Sequence, residues 1–306
     1  MWGGVGVSGQ SQEAQVPPNN VLKLSGVSTL KILPIEADIQ FVVSSVLGKD
    51  EIGVLVEGQG IEALTINQGG GLLSIQRSSK TRSNTSLKFR VFVTNTCRLD
   101  VAVIGKSHVF IPNMAAPLRL ALEDLAQVTV GGCSGLVLHQ KGFVKTQVDT
   151  VVGDMVVTQS DQCLLGIKSG EIPKALITAT ESSSVSIAAQ IYNLRLETKG
   201  KSRIHLGSVK QSSMWAGRGN ETIVIHNLQG VADVTANYAS QLTVEKADLQ
   251  TLLAATSSTG KIKISGTVRD AAFSAKGASE IVVDKITGKV IRKNQSNKGI
   301  IKILNP

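Results

Sequence analysis

The motif Ile262-Lys-Ile264 decides the fold, because this pair of aliphatic residues around one spacer recurs at an almost fixed interval between residues 185 and 303. Successive copies begin 19 or 20 residues apart. A constant period near twenty residues is typical of a solenoid, in which each repeat buries its apolar face against its neighbours. The seven copies are Val185-Ser-Ile187, Ile204-His-Leu206, Ile223-Val-Ile225, Leu242-Thr-Val244, Ile262-Lys-Ile264, Ile281-Val-Val283 and Ile301-Lys-Ile303.

Fainter copies extend this repeat upstream, and a second series of aliphatic pairs lies between the members of the first. The upstream copies are Val128-Thr-Val130, Thr146-Gln-Val148 and Leu165-Gly-Ile167. The second series is Leu118-Arg-Leu120, Leu136-Val-Leu138, Met155-Val-Val157, Leu194-Arg-Leu196 and Val234-Thr-Ala236. Each coil therefore contains at least two short strands. We predict an all-β, single-stranded β-helix of about 19–20 residues per coil over residues 112–306, in which residues 118–127 form strand and turn rather than a short helix.

Alternation along each strand predicts which side chains face the core. The paired aliphatic residues point inward and their spacers point outward. Stacked spacers then form one outward column of charged, polar and small apolar side chains. This column contains no combination of residues typical of a catalytic site. Its members are Ser186, His205, Val224, Thr243, Lys263, Val282 and Lys302.

The N-terminal third lacks this clear period. Residues 21–111 contain alternating, β-rich segments separated by glycine turns, and we predict a β-sheet or sandwich that caps the first coil. Residues 1–20 are rich in Gly, Ser, Gln and Pro, which indicates a flexible arm. That arm has neither a basic start nor an apolar central run, so we do not expect it to be a signal peptide. If the protein is exported, we expect its signal peptide to have been removed already.

Charge is concentrated at the other end of the chain. The formal net charge is +9, and residues 254–306 hold ten basic residues against three acidic ones. Such a patch fits an anionic glycan or a cell-envelope surface, or else a well-solvated face. Nucleic acid is not an expected partner, because Phe273 is the sole aromatic residue in this stretch. The candidate patch residues are Lys261, Lys263, Lys276, Lys285, Lys289, Arg292, Lys293 and Lys302.

Residue patterns that carry catalysis or cofactor binding do not appear. Three cysteines show no metal-ligand spacing, four histidines are scattered, and the acidic residues do not recur one period apart. No glycine-rich loop lies between a strand and a helix. We therefore expect no enzyme, no cofactor and no metal site. The sequence also has no run of about 18 apolar residues, so no membrane-spanning helix is expected.

Several of these segments resemble a known family. The stretch Thr256-Ser-Ser-Thr-Gly260-Lys-Ile-Lys-Ile264-Ser-Gly266 and the later Gly277-Ala-Ser-Glu-Ile-Val-Val283 are similar to the repeats of the auto-transporter adhesin head family, or GIN domain. Residues 71–75, 89–93 and 99–111 resemble its N-terminal part. The resemblance implies a right-handed β-helix exported to the bacterial cell surface or periplasm, with no catalytic residues. Bactofilins, small β-helices that polymerise end to end, are a more distant likeness. The turns at Tyr238-Ala-Ser-Gln and Ser213-Met-Trp215 depart from the family pattern.

These observations predict a non-enzymatic structural or adhesive solenoid that is exported and forms a homo-oligomer or polymer in a surface layer, appendage or filament. The last motif, Ile301-Lys302-Ile303, is the candidate self-assembly edge, because an uncovered apolar edge strand invites pairing with another strand. Two alternatives stay open. One is a glycan-binding module or carbohydrate-active β-helix, and the other is a cytoplasmic or organellar scaffold subunit.

Overall fold

The computed structural model of the chain describes residues 21–57, 64–77, 87–216 and 219–305. Within these ranges the chain forms 23 strands and no helix, arranged as a β-solenoid of about 11 turns. The predicted all-β solenoid is confirmed. The arm predicted for residues 1–20 lies outside the described residues.

The strands follow one another with short turns between them. They are β1 (Leu22–Ser25), β2 (Thr29–Ile35), β3 (Ala37–Val43), β4 (Glu51–Glu57), β5 (Leu64–Gly69), β6 (Leu72–Arg77), β7 (Leu87–Val93), β8 (Arg98–Val103), β9 (His108–Asn113), β10 (Leu118–Asp124), β11 (Gln127–Cys133), β12 (Leu136–Gly142), β13 (Lys145–Val152), β14 (Met155–Gln159), β15 (Leu164–Ala179), β16 (Ser184–Thr198), β17 (Arg203–Ala216), β18 (Thr222–Ala236), β19 (Gln241–Thr256), β20 (Lys261–Lys276), β21 (Glu280–Ile286), β22 (Val290–Ser296) and β23 (Ile300–Asn305).

Pairing between coils arranges these strands in two stacks that run the length of the rod. The long strands β15 to β20 each give their first half to one stack and their second half to the other, with a register shift between the halves. Stack A has the order β1, β4, β7, β3, β9, β11, β13, β15 to β20, β21, β23. Stack B has the order β5, β6, β2, β8, β10, β12, β14, β15 to β20, β22.

The repeat read from the sequence is the register of stack A. Val185 pairs with Leu165 in the preceding coil and with Ile204 in the next, and each later copy follows the same rule. The inward residues of the seven copies are buried except Ile303, which is half-buried, and the outward residue Lys263 is exposed. Residues 118–124 form strand β10 rather than a helix, as their place in the repeat predicts.

Coil order differs from chain order at the N-terminal end. The layer of β2 and β3 lies between the layer of β6 and β7 and the layer of β8 and β9, because β2 pairs with both β6 and β8 and β3 pairs with both β7 and β9. Antiparallel strands then complete this end. In stack A, β4 pairs with β7 and β1 pairs with β4; in stack B, β5 pairs with β6.

The turn before each stack A strand has its own repeating chemistry. One residue in most of these turns has a positive φ; Gly200 at +89° is an example, and a Cβ there would come within 2.7 Å of the Glu181 carbonyl oxygen. A buried serine then closes the turn by donating its hydroxyl to the carbonyl three residues earlier, which satisfies a buried acceptor. These serines are Ser107, Ser183, Ser202, Ser240 and Ser279.

Candidate functional site

The C-terminal coil brings the three predicted edge residues together at the end of stack A. Ile301 lies over Ile281 and Ile303 lies over Val283, so both continue the inward column of the solenoid. Ile301 is buried and Ile303 is half-buried. β23 pairs with β21 on one side, and within the described residues no strand pairs with its other side. An unpaired backbone edge and a partly exposed apolar column are the features that strand addition requires.

An ion pair fastens this last strand to the rod. Lys302 points outward, and its Nζ lies 2.7 Å from Oε1 of Glu280 on β21. The hydrogen bond from Lys302 lowers the pKa of the Glu280 carboxyl below its ordinary value, with further lowering from the positive charges of Lys302 and Lys261. Glu280 is therefore ionised at neutral pH and holds Lys302 along the outer surface, away from the free edge.

The neighbouring end of stack B is polar. Lys293 pairs opposite buried Phe273 and Gln295 opposite buried Ala275, so both occupy positions that are apolar in the coil before them. Every residue of β22 is exposed. A register irregularity at Ile291 sets which residues of β22 face inward, and for this reason the sequence repeat did not reveal the polar end.

The candidate basic patch is divided by the fold. Lys261, Lys263 and Lys302 lie on the outward side of stack A around Glu280. Lys276, Arg292 and Lys293 belong to stack B. Lys285 lies near the end of β21 in stack A, and Lys289 lies in the turn between β21 and β22. The structure therefore brings three of the eight residues together, and binding of an anionic partner by the whole set stays a prediction.

The opposite end of stack A is apolar as well, which the sequence repeat did not reveal. Leu22 of β1 pairs opposite buried Val54 and remains 49% exposed. Leu24 pairs opposite buried Ile52 and packs against the main core. The pattern Leu22-Lys-Leu24 has the same form as Ile301-Lys-Ile303, and this is the signal that could have identified it.

Leu22 and Ile303 are the two ends of one inward column. The pairings connect Leu22, Val54, Val91 and Phe41 at the N-terminal end, and they connect Ile111, Val130, Val148, Ile167, Ile187, Leu206, Ile225, Val244, Ile264, Val283 and Ile303 along the rest of the rod. Phe41 and Ile111 each follow the last pair of the β3–β9 register, Gln40 with Phe110, so this register joins the two series. The thirteen residues between the two ends are all buried.

Three acidic residues of the C-terminal coils make local contacts. Oε2 of Glu245 lies 2.8 Å from Nδ1 of His226. Asp284 accepts a hydrogen bond from the backbone N–H of Gly266. Asp270 accepts from the backbone N–H of Lys289 and from Nε of Arg269; these two bonds, with the backbone one foremost, lower the pKa of its carboxyl. In the described part of the chain no three His, Cys, Asp or Glu residues are grouped as metal ligands.

A shallow groove beside Tyr192 bears on the alternative of a glycan-binding module. Amide and carboxylate side chains of Asn193, Gln211 and Asp248 line it. Sugar-binding grooves usually present a free aromatic face, but Lys210 lies over the Tyr192 ring, with Nζ 4.6 Å from the ring centre. The groove therefore offers no open platform on that face.

All three cysteines are buried free thiols. Burial raises the pKa of Cys97 and of Cys133 to about 11, and it also raises the pKa of Cys163. Because the thiolate is the reactive form, these thiols are inert near neutral pH.

No family model and no curated protein matches the chain, so the resemblance to the adhesin head family is not confirmed. Among solved structures, a "putative lipid binding protein" from Parabacteroides distasonis is similar at 11% identity and a TM-score of 0.34, covering 92% of this chain and 96% of the other. A "putative adhesin" from Parabacteroides merdae is similar at 12% identity and a TM-score of 0.34, covering 92% and 95%. These values are too low to transfer a function. In the described residues no helix has the length and apolarity needed to span a membrane.

Proposed function

We propose that the protein is a non-enzymatic, rigid β-solenoid that works by self-association through its C-terminal coil. The observation that carries this proposal is the free edge of β23, which continues the inward column at Ile301 and Ile303 without a covering strand among the described residues. Exposed edge strands are sites of strand addition unless charge, a bulge or a covering element blocks them.

The surrounding surface supports the same function. Ile300 is 43% exposed and Leu304 is 57% exposed, so the edge strand carries apolar side chains beyond its two inward residues. Lys302 is the one charged residue of β23. Its ion pair with Glu280 holds the ammonium group on the outer surface, so this charge does not block strand addition at the edge. The acidic residues named above are engaged in local contacts, which supports a structural or adhesive role over catalysis.

The proposal includes export to the cell surface or periplasm, because the sequence resembles the adhesin head family. A surface layer, appendage or filament is then the assembly that such rods would build.

Sedimentation velocity over a wide concentration range tests the proposal. Ile303→Asp places a carboxylate at the inward position of the free edge, and we expect it to weaken self-association at least about tenfold, because burying an unpaired charge costs well over the 1.4 kcal/mol that tenfold represents. Val282→Asp is the matched control: it introduces the same group on the outward side of the adjacent strand β21 and should leave association unchanged. A wild-type protein that stays monomeric at every concentration would overturn the proposal.

A further inference from the structure

We propose that β23 of one copy pairs in parallel with β1 of a second copy, so that the solenoids stack head to tail through stack A alone. This inference rests on the proposed function, because it names the segment that covers the C-terminal edge. It gives the partner as a second copy of this chain and the contact as Leu22–Ser25.

Strand direction permits this pairing. β4 is antiparallel to β7, and β1 is antiparallel to β4. Two reversals return β1 to the direction of β7, which is parallel to β3 and so to the rest of stack A, including β23. A second copy added in line therefore presents β1 to β23 as one more parallel strand, with the parallel geometry that stack A has from β7 to β23.

The inward columns fix the register. Because Leu22 and Ile303 are the two ends of one column, in-line addition places Leu22 of the second copy beside Ile303 of the first. Lys23 then lies beside Leu304 on the outward side. Leu22 and Leu304, 49% and 57% exposed in the single chain, both lose water contact. The aliphatic stem of Lys23 covers Leu304 while its ammonium group stays in solvent.

Stack B does not close in this arrangement. Among the described residues, stack A has fifteen strands and stack B has fourteen, so in-line copies leave one strand position open in stack B. The edges of β22 and of β5 from the next copy are then about 10 Å apart, two strand spacings. Lys293 and Gln295 face this gap from one side. From the other side it is faced by Gln68, opposite buried Leu73, and by Ile66, which is opposite buried Ile75 and 36% exposed. The polar groups of Lys293, Gln295 and Gln68 can hold water in the gap.

Charge favours head-to-tail over tail-to-tail contact. The described residues of the N-terminal layers, 21–57, 64–77 and 87–93, hold six basic residues against five acidic ones, whereas residues 254–306 hold ten basic residues against three acidic ones. Two C-terminal ends therefore repel each other more strongly than a C-terminal end and an N-terminal end do. Because the two joined surfaces differ, the contact is heterologous and continues into an open filament instead of closing into a dimer.

Disulfide trapping between two single variants tests the pairing. Lys23→Cys and Leu304→Cys place thiols on neighbouring outward positions with Cα atoms about 4.8 Å apart, within the range for a disulfide. We expect mild oxidation of the mixed variants to give a covalent dimer, and either variant alone to give none. The native thiols are buried and contribute no background. Ser186→Cys, on an outward position in the middle of the rod, replaces Leu304→Cys as the control and should not cross-link with Lys23→Cys.

The other outcomes separate this inference from the proposed function. Cross-linking of Leu304→Cys with itself means tail-to-tail contact; it overturns head-to-tail stacking and leaves self-association through β23 intact. Association without any cross-link also overturns the β1 pairing. Monomers in every mixture overturn both proposals. As a non-covalent readout, Leu22→Asp should weaken association at least about tenfold, with the thermal unfolding midpoint unchanged, because the Leu22 side chain is already half exposed in the single chain.

Discussion

The two strands of the last coil end one solenoid in opposite ways. In β22, Lys293 lies over buried Phe273, so the stack ends on a charge. In β23, Ile303 lies over buried Val283, so the stack ends on an apolar side chain with a free backbone edge. A repeat protein needs polar ends to stay soluble. The difference shows that one stack can be closed with hydrated groups while the stack beside it remains competent to add a strand.

The first way to break this comparison is to remove the inward side chain beneath the polar end and the inward side chain that forms the apolar end. Phe273→Ala empties a fully buried position and should lower the free energy of unfolding by about 3–5 kcal/mol. Ile303→Ala should cost about 1 kcal/mol or less, because its side chain is only half-buried in the single chain. Urea unfolding at low concentration measures both. Equal losses would show that the two ends are equally built into the core.

Alkaline pH should lower the free energy of unfolding through two buried thiols that lie between the ends of the rod. Burial raises the pKa of Cys97 and Cys133 from 9.0 to about 11. Below pH 9 both states keep their protons and stability is unaffected; between pH 9 and 11 the unfolded thiols ionise first, so stability falls as pH rises. At pH 10.5 we expect a loss of roughly 2 kcal/mol per thiol. The control is Cys97→Ala with Cys133→Ala, compared with wild type by urea unfolding at pH 8 and pH 10.5. An identical pH dependence of the two proteins would rule out this cause.

Making the polar end resemble the apolar one sharpens the comparison. Lys293→Ile in the Ile303→Asp background removes the charge over Phe273 and leaves β22 as the apolar edge. In this background the in-line contact through β23 is lost, so a second copy can cover β22 directly. We then expect self-association to recover by about tenfold relative to Ile303→Asp alone, because one buried aliphatic side chain contributes about 1.5 kcal/mol. Sedimentation velocity of both proteins measures the recovery. If the double variant associates no better than the single one, Lys293 is not what closes stack B.

The smallest expected effect concerns the ion pair beside the free edge. Glu280→Gln removes the partner of Lys302, and a surface pair of this kind contributes at most about 0.5 kcal/mol. Because the pKa of Glu280 is lowered from its ordinary 4.5, the contribution is present above that pH and disappears as pH falls. Thermal unfolding should therefore separate wild type from Glu280→Gln at pH 7 and not at pH 3. A difference that persists in acid would mean that the glutamine changes packing.

Much of the rod could be predicted from the sequence. The period of the aliphatic pairs and their alternation with spacer residues predicted the strands. They also predicted inward residues such as Ile223 and outward residues such as Lys263, because similar coils stack in the same register. Glycine in turns was also informative, since Gly200 and Gly277 have positive φ. Glu181 and Tyr238 adopt the same conformation without being glycine, and no local rule predicts this.

The ends of the rod were harder to predict. Alternation in β2 and β6 shows that both are strands, but it cannot show that β2 lies between β6 and β8, since coil order depends on long-range pairing. The same limit applies to Leu22. Its pattern is visible in the sequence, but its place at the far end of the column from Ile303 follows from two antiparallel pairings.

Electron microscopy of the concentrated protein tests the central claim most directly, because head-to-tail addition through stack A fixes both the form and the repeat of the assembly. Fifteen strands at about 4.8 Å each predict unbranched filaments, one solenoid wide, with an axial repeat of about 70 Å. These filaments should be absent from Ile303→Asp and present in Val282→Asp. Single rods of wild-type protein at every concentration would contradict the account.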